Sequence, residues 1–156
     1  MGGGVLCWLA EEKFVPFRAV GYMSQARQPW NRDQLDSLVQ RAAAFNLEAD
    51  VTGVLLFDGV SFLQYIEGPE DGVARAYRRI LSSEFHSEIV ELGRGTIGSR
   101  LLPYWSMHWL LADPSQLLSV ARADWTGFVR STNPSPRRST AMDRLQIYLH
   151  PYIARP

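Results

Sequence analysis

Three side chains in this 156-residue chain are of types that move protons and electrons or pair with polar groups: the phenol of Tyr22 and the carboxamides of Asn46 and Gln64. A phenol can release an electron together with its proton, while a carboxamide carries donor and acceptor side by side and can exchange their places. Where these groups point decides whether that chemistry is available. Gln64 lies in the stretch 51–68, VTGVLLFDGVSFLQYIEG, in which two runs rich in β-branched and aromatic residues flank Asp58-Gly59. That pattern predicts a β-hairpin closed by a two-residue type I′ loop. In this register Phe57 faces Val60, Leu55 faces Phe62, Gly53 faces Gln64 and Val51 faces Ile66, all from one side of the ladder. Every member except Gln64 is apolar or glycine. The amide is thus driven into an apolar layer, where an unpaired polar group costs about 1–3 kcal/mol. Gly53 opposite it leaves a gap for a flat ligand or another backbone.

The elements around this hairpin must position the other two groups. Residues 17–24 (FRAVGYMS) read as a strand with Arg18, Val20, Tyr22 and Ser24 on one face, which sets a phenol beside a hydroxyl. Asn31 caps a helix with Gln34 three residues on, and Leu35, Leu38, Val39 and Ala42 form its apolar stripe. The helix is expected to end near Asn46, which falls on that stripe and is a second inward amide. Gly68 and Pro69 open another helix, with Glu70 and Asp71 in its first turn and Val73, Ala76, Tyr77 and Ile80 inside. A strand over 86–92, a turn punctuated by Gly93, Gly95 and Gly98, and a strand over 104–111 follow, the last with Trp105, Met107, Trp109 and Leu111 on one face. The order β-α-β-β-α-β-β predicts an α+β fold: a ferredoxin-like sandwich with a mixed five-stranded sheet, both helices on one face and short C-terminal helices. The opposite face carries Val54, Leu56, Leu63 and Tyr65, too apolar for water, and needs the C-terminal tail or a second copy of the chain as cover. In that tail, 114–128 reads as one or two short helices and 131–140 as a linker. Met142, Leu145, Leu149 and Tyr152 make a helical seam whose last turn Pro151 disturbs.

Composition narrows the function classes. Sixteen basic residues balance sixteen acidic ones, so no global field recommends nucleic acid or an anionic membrane as a partner. The lone Cys7 rules out an internal disulfide and a multi-cysteine zinc site, and a cytoplasmic setting is the expectation. No stretch reaches membrane-spanning length, and the start MGGGVLCWLAEEK lacks the form of a secretory signal. His86, His108 and His150 have neither metal-ligand spacing nor triad partners, so no metal is expected, and GPEDG at 68–72 is no phosphate loop. Each candidate also has an ordinary role: Gln64 as an edge residue, Asn46 as a helix-end cap, Tyr22 as core and Met107 as packing.

Taken together they are not ordinary. Tyr22 with Ser24, then Asn46, Thr52-Gly53, Phe62-Leu63-Gln64 running into Glu67-Gly68, His86, and Trp105-Ser106-Met107 resemble, in order and spacing, the BLUF family of blue-light receptors that use FAD. The resemblance covers about residues 17–112, with 1–16 an N-terminal extension and 113–156 a C-terminal helical cap and tail. It implies FAD held between the two helices with its ring edge against the sheet, in the gap at Gly53. It implies Tyr22 as electron and proton donor to the excited flavin, and Gln64 as the amide whose hydrogen bonding changes after the photon. Asn46 would hold the polar edge of the ring, Ser24 and His86 would belong to the same binding set, and Arg79 would pair with the cofactor's phosphates. Trp105 and Met107 would relay the change to the last strand and the cap. Ser83 and Phe85 stand where many members have aspartate and arginine. The implied function is a photoreceptor, not an enzyme, that signals to a downstream protein and self-associates as a homo-oligomer. Two alternatives stay open: a flavin-binding or interaction module without photochemistry, and a small acid-base or phosphoryl enzyme with Arg79 and Asn46 as its site.

Overall fold

The computed structural model describes residues 16–103, 105–128 and 139–153; Cys7 and nearly all of the 1–16 extension, Tyr104, and most of the 131–140 linker lie outside them. The strands are β1 (Phe17–Ala26), β2 (Thr52–Phe57), β3 (Ser61–Pro69), β4 (His86–Ile97) and β5 (His108–Leu111). They form one sheet in the order β4-β1-β3-β2-β5, antiparallel except for the parallel β2–β5 pair. Helices α1 (Arg32–Ala49) and α2 (Glu70–Leu81) are the two crossovers. The expected mixed sheet with both helices on one face is what the chain builds.

Capping chemistry sets α1. The Asn31 side chain accepts from the Gln34 backbone N–H at 2.8 Å, and the Gln34 side chain accepts from the Asn31 N–H at 2.9 Å. The helix runs past Asn46 to Ala49, stopped by Asp50 in the left-handed conformation (φ 60°), so Asn46 sits inside the last turns and is not their cap. Leu35, Val39, Ala49, Val73, Ala76 and Tyr77 meet Val20, Leu55, Phe57, Phe62 and Ile66 of the sheet to make the inner core.

The hairpin is longer-looped than its Asp-Gly pair suggests. Phe57 pairs with Phe62, Leu55 with Gln64 and Gly53 with Ile66, a slip of two residues from the expected register. Asp58 is the cause: its Oδ1 accepts from the N–H of Val60 at 2.9 Å and of Ser61 at 2.6 Å, and Gly59 takes φ 102°. This side-chain-closed turn leaves residues 58–61 out of the β2–β3 pairing, which ends at Phe57 and Phe62, and leaves Val60 exposed. A slip of two keeps every other side chain on its face, so Gln64 still points to the inner core.

Two further expectations change. β4 continues through Gly93 and Gly95 as one strand where a turn is expected, because those glycines lie under aromatic rings of the tail. A Cβ on Gly93 would lie 2.9 Å from Trp125 Cβ, and one on Gly21, beside it in β1, 2.4 Å from the Trp125 ring. β5 starts only at His108, so alternation does not reach back to Trp105: Trp105 packs with the outer core while Met107 and Trp109 belong with the inner one, and Leu111 is exposed.

The outer sheet face is covered by the tail. Helix α3 (Pro114–Ala121), a 3-10 turn (Thr126–Phe128) and helix α4 (Ala141–Ile153) bring Leu117, Val120, Trp125, Phe128, Met142, Leu145 and Leu149 against Val54, Leu56, Leu63 and Tyr65. The helix α4 passes through Pro151, but Tyr152 lies exposed, off the expected seam. Among the described residues no helix is long and apolar enough to cross a membrane, and no group of histidine, cysteine or acidic residues is placed to hold a metal.

Candidate functional site

Adjacent inner strands bring the phenol and the amide together. Tyr22 of β1 is directly opposite Gln64 of β3, and the Tyr22 hydroxyl donates to Gln64 Oε1. With its carbonyl taken, the Gln64 amide turns Nε2 toward Met107, donating to Sδ at 3.4 Å. One N–H of that amide remains for whatever occupies the space Gln64 lines. Tyr22 has no exposed surface, and burial, with the neighbouring Tyr77 phenol second, pushes its pKa well above the ordinary tyrosine value. Its proton therefore stays on the oxygen. Tyr77, whose ring centre is 6.1 Å away, is pushed up to about 12 by burial first and by Glu91 next.

Ser24 and His86 meet one step along β1, with Ser24 Oγ and His86 Nδ1 2.7 Å apart. His86 Nε2 lies 3.0 Å from the Ile80 carbonyl, which can only accept, so Nε2 carries the hydrogen and Nδ1 takes the one from Ser24. Burial lowers the pKa of His86 and favours this neutral form. The imidazole stands edge-on to Tyr22 and so helps fix the phenol.

The segment 105–107 is held from three sides. Gly53 N–H donates to the Trp105 carbonyl at 2.8 Å, Asn46 Nδ2 to the Ser106 carbonyl at 2.9 Å, and Gln64 to Met107. The gap expected opposite Gln64 is therefore not a ligand seat: Gly53 faces Ile66, and a Cβ there would lie 2.7 Å from the Tyr65 carbonyl and 3.0 Å from Met107 Cε. Of the two occupants the sequence allows, a second backbone is the one present. Just beyond, the carboxylate of Glu67, wholly buried, accepts from the N–H groups of Leu101 and Leu102 at 2.6 and 2.9 Å and from the hydroxyls of Tyr65 and Thr52. It pins the connection between β4 and β5.

Space for a ligand lies between α1 and α2, in a cleft of about 540 Å³. Its floor is Leu55, Gln64 and Met107; Leu38, Val39 and Ala42 of α1 and Arg79 and Ile80 of α2 form its walls. Arg27, Trp30, Arg41, Ser83 and Phe85 also line it. The Arg79 guanidinium lies 4.9 Å above the Phe45 ring. Phe85 stacks on His86 at 3.8 Å, and Ser83 Oγ is spent on the Arg79 carbonyl at 2.8 Å. Trp30 Nε1 is buried without a hydrogen-bond partner among the described residues.

The model of the family described as "Sensors of blue-light using FAD" matches residues 18–108. This chain belongs to the BLUF family. It is 41% identical over 71 residues to the blue light- and temperature-regulated antirepressor BluF of Escherichia coli (strain K12), covering 46% of this chain and 18% of that protein. It is similar to a dark-state structure of BlrB, a BLUF protein, with TM-score 0.61, 27% identity, and 72% and 86% of the two chains covered. It is also similar to Klebsiella pneumoniae BlrP1 with FMN and cyclic diGMP, with TM-score 0.58, 28% identity, and 88% and 34% covered. This chain thus spans under a fifth of the length of that curated relative.

A flavin fits what the BLUF cleft offers: an apolar slot between helices, an amide N–H on its floor, arginine side chains around it, and in its lining Trp30, whose buried indole N–H has no partner among the described residues. Sequence reasoning singled out Tyr22, Ser24, Asn46, Gln64, Arg79 and His86. The fold brings Tyr22 to Gln64, Ser24 to His86, and Asn46 to the 105–107 segment, while Arg79 stands at the cleft. Reasoning from sequence missed Trp30, Arg27 and Arg41. The loop 25–30 has no periodicity to show which way Trp30 points, and Arg41 belongs to a helix read for its apolar stripe alone.

Proposed function

We propose that this chain is a blue-light photoreceptor that binds FAD non-covalently in the cleft between α1 and α2. A bound flavin would supply the blue absorption and, once excited, the demand for an electron. The protein's own part is the chain of contacts from Tyr22 through Gln64 to Met107, and that chain carries the reading. Tyr22 holds a proton on a hydrogen bond to Gln64 Oε1, so loss of an electron from the phenol releases that proton toward the amide oxygen. A change at that oxygen alters which way the Gln64 amide serves its neighbours, Met107 Sδ among them. Asn46, through Ser106, and Gly53, through Trp105, hold the same segment, which supports Trp105 and Met107 as the residues that pass the change to β5 and the cap. Ser24 and His86 act behind Tyr22, as positioning residues.

FAD rather than FMN is supported by the guanidinium groups of Arg27, Arg41 and Arg79 at one cleft, suited to a pyrophosphate. The output is a protein partner, acting in the cytoplasm, and this segment carries no catalysis of its own. Self-association finds its support in Ile147, Tyr152 and Ile153, exposed on α4.

A visible spectrum of the purified chain tests the proposal. Bound oxidised flavin, a red shift under blue light and its decay in the dark are expected. A flavin spectrum unmoved by light leaves a flavin-binding module without photochemistry, and a colourless protein unable to take up flavin removes the cofactor altogether. Acid precipitation should release all the colour, and chromatography of the released pigment separates FAD from FMN.

A further inference from the structure

Buried indole N–H groups nearly always find an acceptor, because leaving one unmade forfeits its solvation. Trp30 breaks that rule at a telling place. Its ring is held edge-to-face by Phe62 and Phe85, each with centroids 6.3 Å away, so the orientation is fixed by packing. Its Nε1 is buried and unpartnered among the described residues, and the side chain lines the cleft. Phe62 and Gln64 are on the same face of β3, two residues and so about 7 Å apart. Phe62, on which the tryptophan packs, is thus the neighbour on that strand face of Gln64 at the cleft floor. Arg27, from the same loop, and Arg41 line the cleft too, which gives this region the chemistry of an oxygen-rich, anionic ligand arm.

We infer that Trp30 is a ligand-binding residue of the cleft, donating its indole N–H to an oxygen acceptor on the ribityl-phosphate arm of the flavin. The inference rests on the flavin reading above and adds to it a specific contact. Two facts separate this role from plain packing. Trp30→Phe keeps an aromatic ring between Phe62 and Phe85 and removes only the donor and the second ring. Replacing the residue by 3-benzothienylalanine keeps the full shape and removes only the N–H.

The test uses the full chain stripped of pigment and titrated with lumiflavin, which has no arm, then riboflavin, FMN and FAD. Both replacements are expected to weaken binding of arm-bearing flavins by roughly three- to tenfold, the worth of one hydrogen bond, and to leave lumiflavin binding to the benzothienyl protein unchanged. Weakening already present with riboflavin assigns the acceptor to a ribityl hydroxyl; weakening confined to FMN and FAD assigns it to phosphate. The Trp30 indole proton resonance, identified by its loss in Trp30→Phe, should move downfield when an arm-bearing flavin is added. Should Trp30→Phe fail to fold, the benzothienyl protein and this resonance decide. Unchanged affinity for every flavin, equal weakening for lumiflavin, or an unmoved resonance overturns the inference while leaving flavin binding intact. An unsubstituted chain that binds no flavin overturns the reading beneath it and this inference with it.

Discussion

Tyr22 keeps its proton because burial makes a phenolate too costly, so chemistry at this residue has to take the electron first or with the proton. That makes two substitutions informative. Tyr22→Phe removes the donor to Gln64 Oε1 and is predicted to bind flavin nearly normally yet show no light-induced red shift. Gln64→Leu removes the acceptor and leaves a buried phenol unpaired, at a cost of about 1–3 kcal/mol. It should still bind flavin, through the cleft walls and arginines, and also lose the shift. A normal photocycle in either protein would make the pair structural. His86 gives a separate, pH-based check. Its folded pKa lies below the ordinary 6.5, chiefly from burial, so the unfolded chain takes up a proton that the folded one resists. Stability from this group is complete above pH 6.5 and is lost as pH falls from there toward the folded value. Thermal melts of the unsubstituted protein should therefore drop on acidification through this range more steeply than those of His86→Gln, and parallel curves would show that His86 does not titrate against folding.

Elements explain which of these residues the sequence could reveal. Tyr22, Asn46 and Gln64 were legible because each lies in a periodic element whose inner face is apolar; facing survives small errors of boundary and register. The hairpin shows this, since a slip of two residues caused by the Asp58 side chain left Gln64 pointing inward. What was not legible depended on partners distant in sequence. Gly93 and Gly95 look like turn residues until Trp125 and Phe128 are laid across them, and Trp105 and Met107 look like one strand face until β5 is seen to begin at His108. The Trp125 seat yields its own prediction. Gly21→Ala would push a methyl to 2.4 Å from the Trp125 ring, so the ring or the strand must give way. Overpacking of this kind costs about 1–3 kcal/mol. Urea denaturation should register that loss, with a changed near-ultraviolet signal from Trp125. Stability equal to that of the unsubstituted chain would mean that the cap shifts freely over the sheet.

At the scale of the molecule, the sheet separates two cores: one beneath the cleft and one beneath the cap. Trp105 packs with the outer core and Met107 with the inner one, so a displacement of the 105–107 segment would act on both at once. In the cap, α4 contributes fully buried Leu145 and Leu149 to an outer face that would otherwise expose Val54, Leu56, Leu63 and Tyr65. Leu145→Ala should thus cost about 2–5 kcal/mol, and a chain ending before residue 139 should self-associate in sedimentation experiments as it seeks another cover for that face. Light should move the same boundary in the intact protein. We predict that blue illumination speeds backbone amide exchange in α4 and across Trp125 to Phe128, while α2, which makes no hydrogen bond to the 105–107 segment or to β5 among the described residues, keeps its dark rate. The comparison within one sample separates a directed signal from general loosening. Faster exchange in all helices alike, or in none, would show that the cap is a fixed part of the core and that the output leaves the domain by another surface.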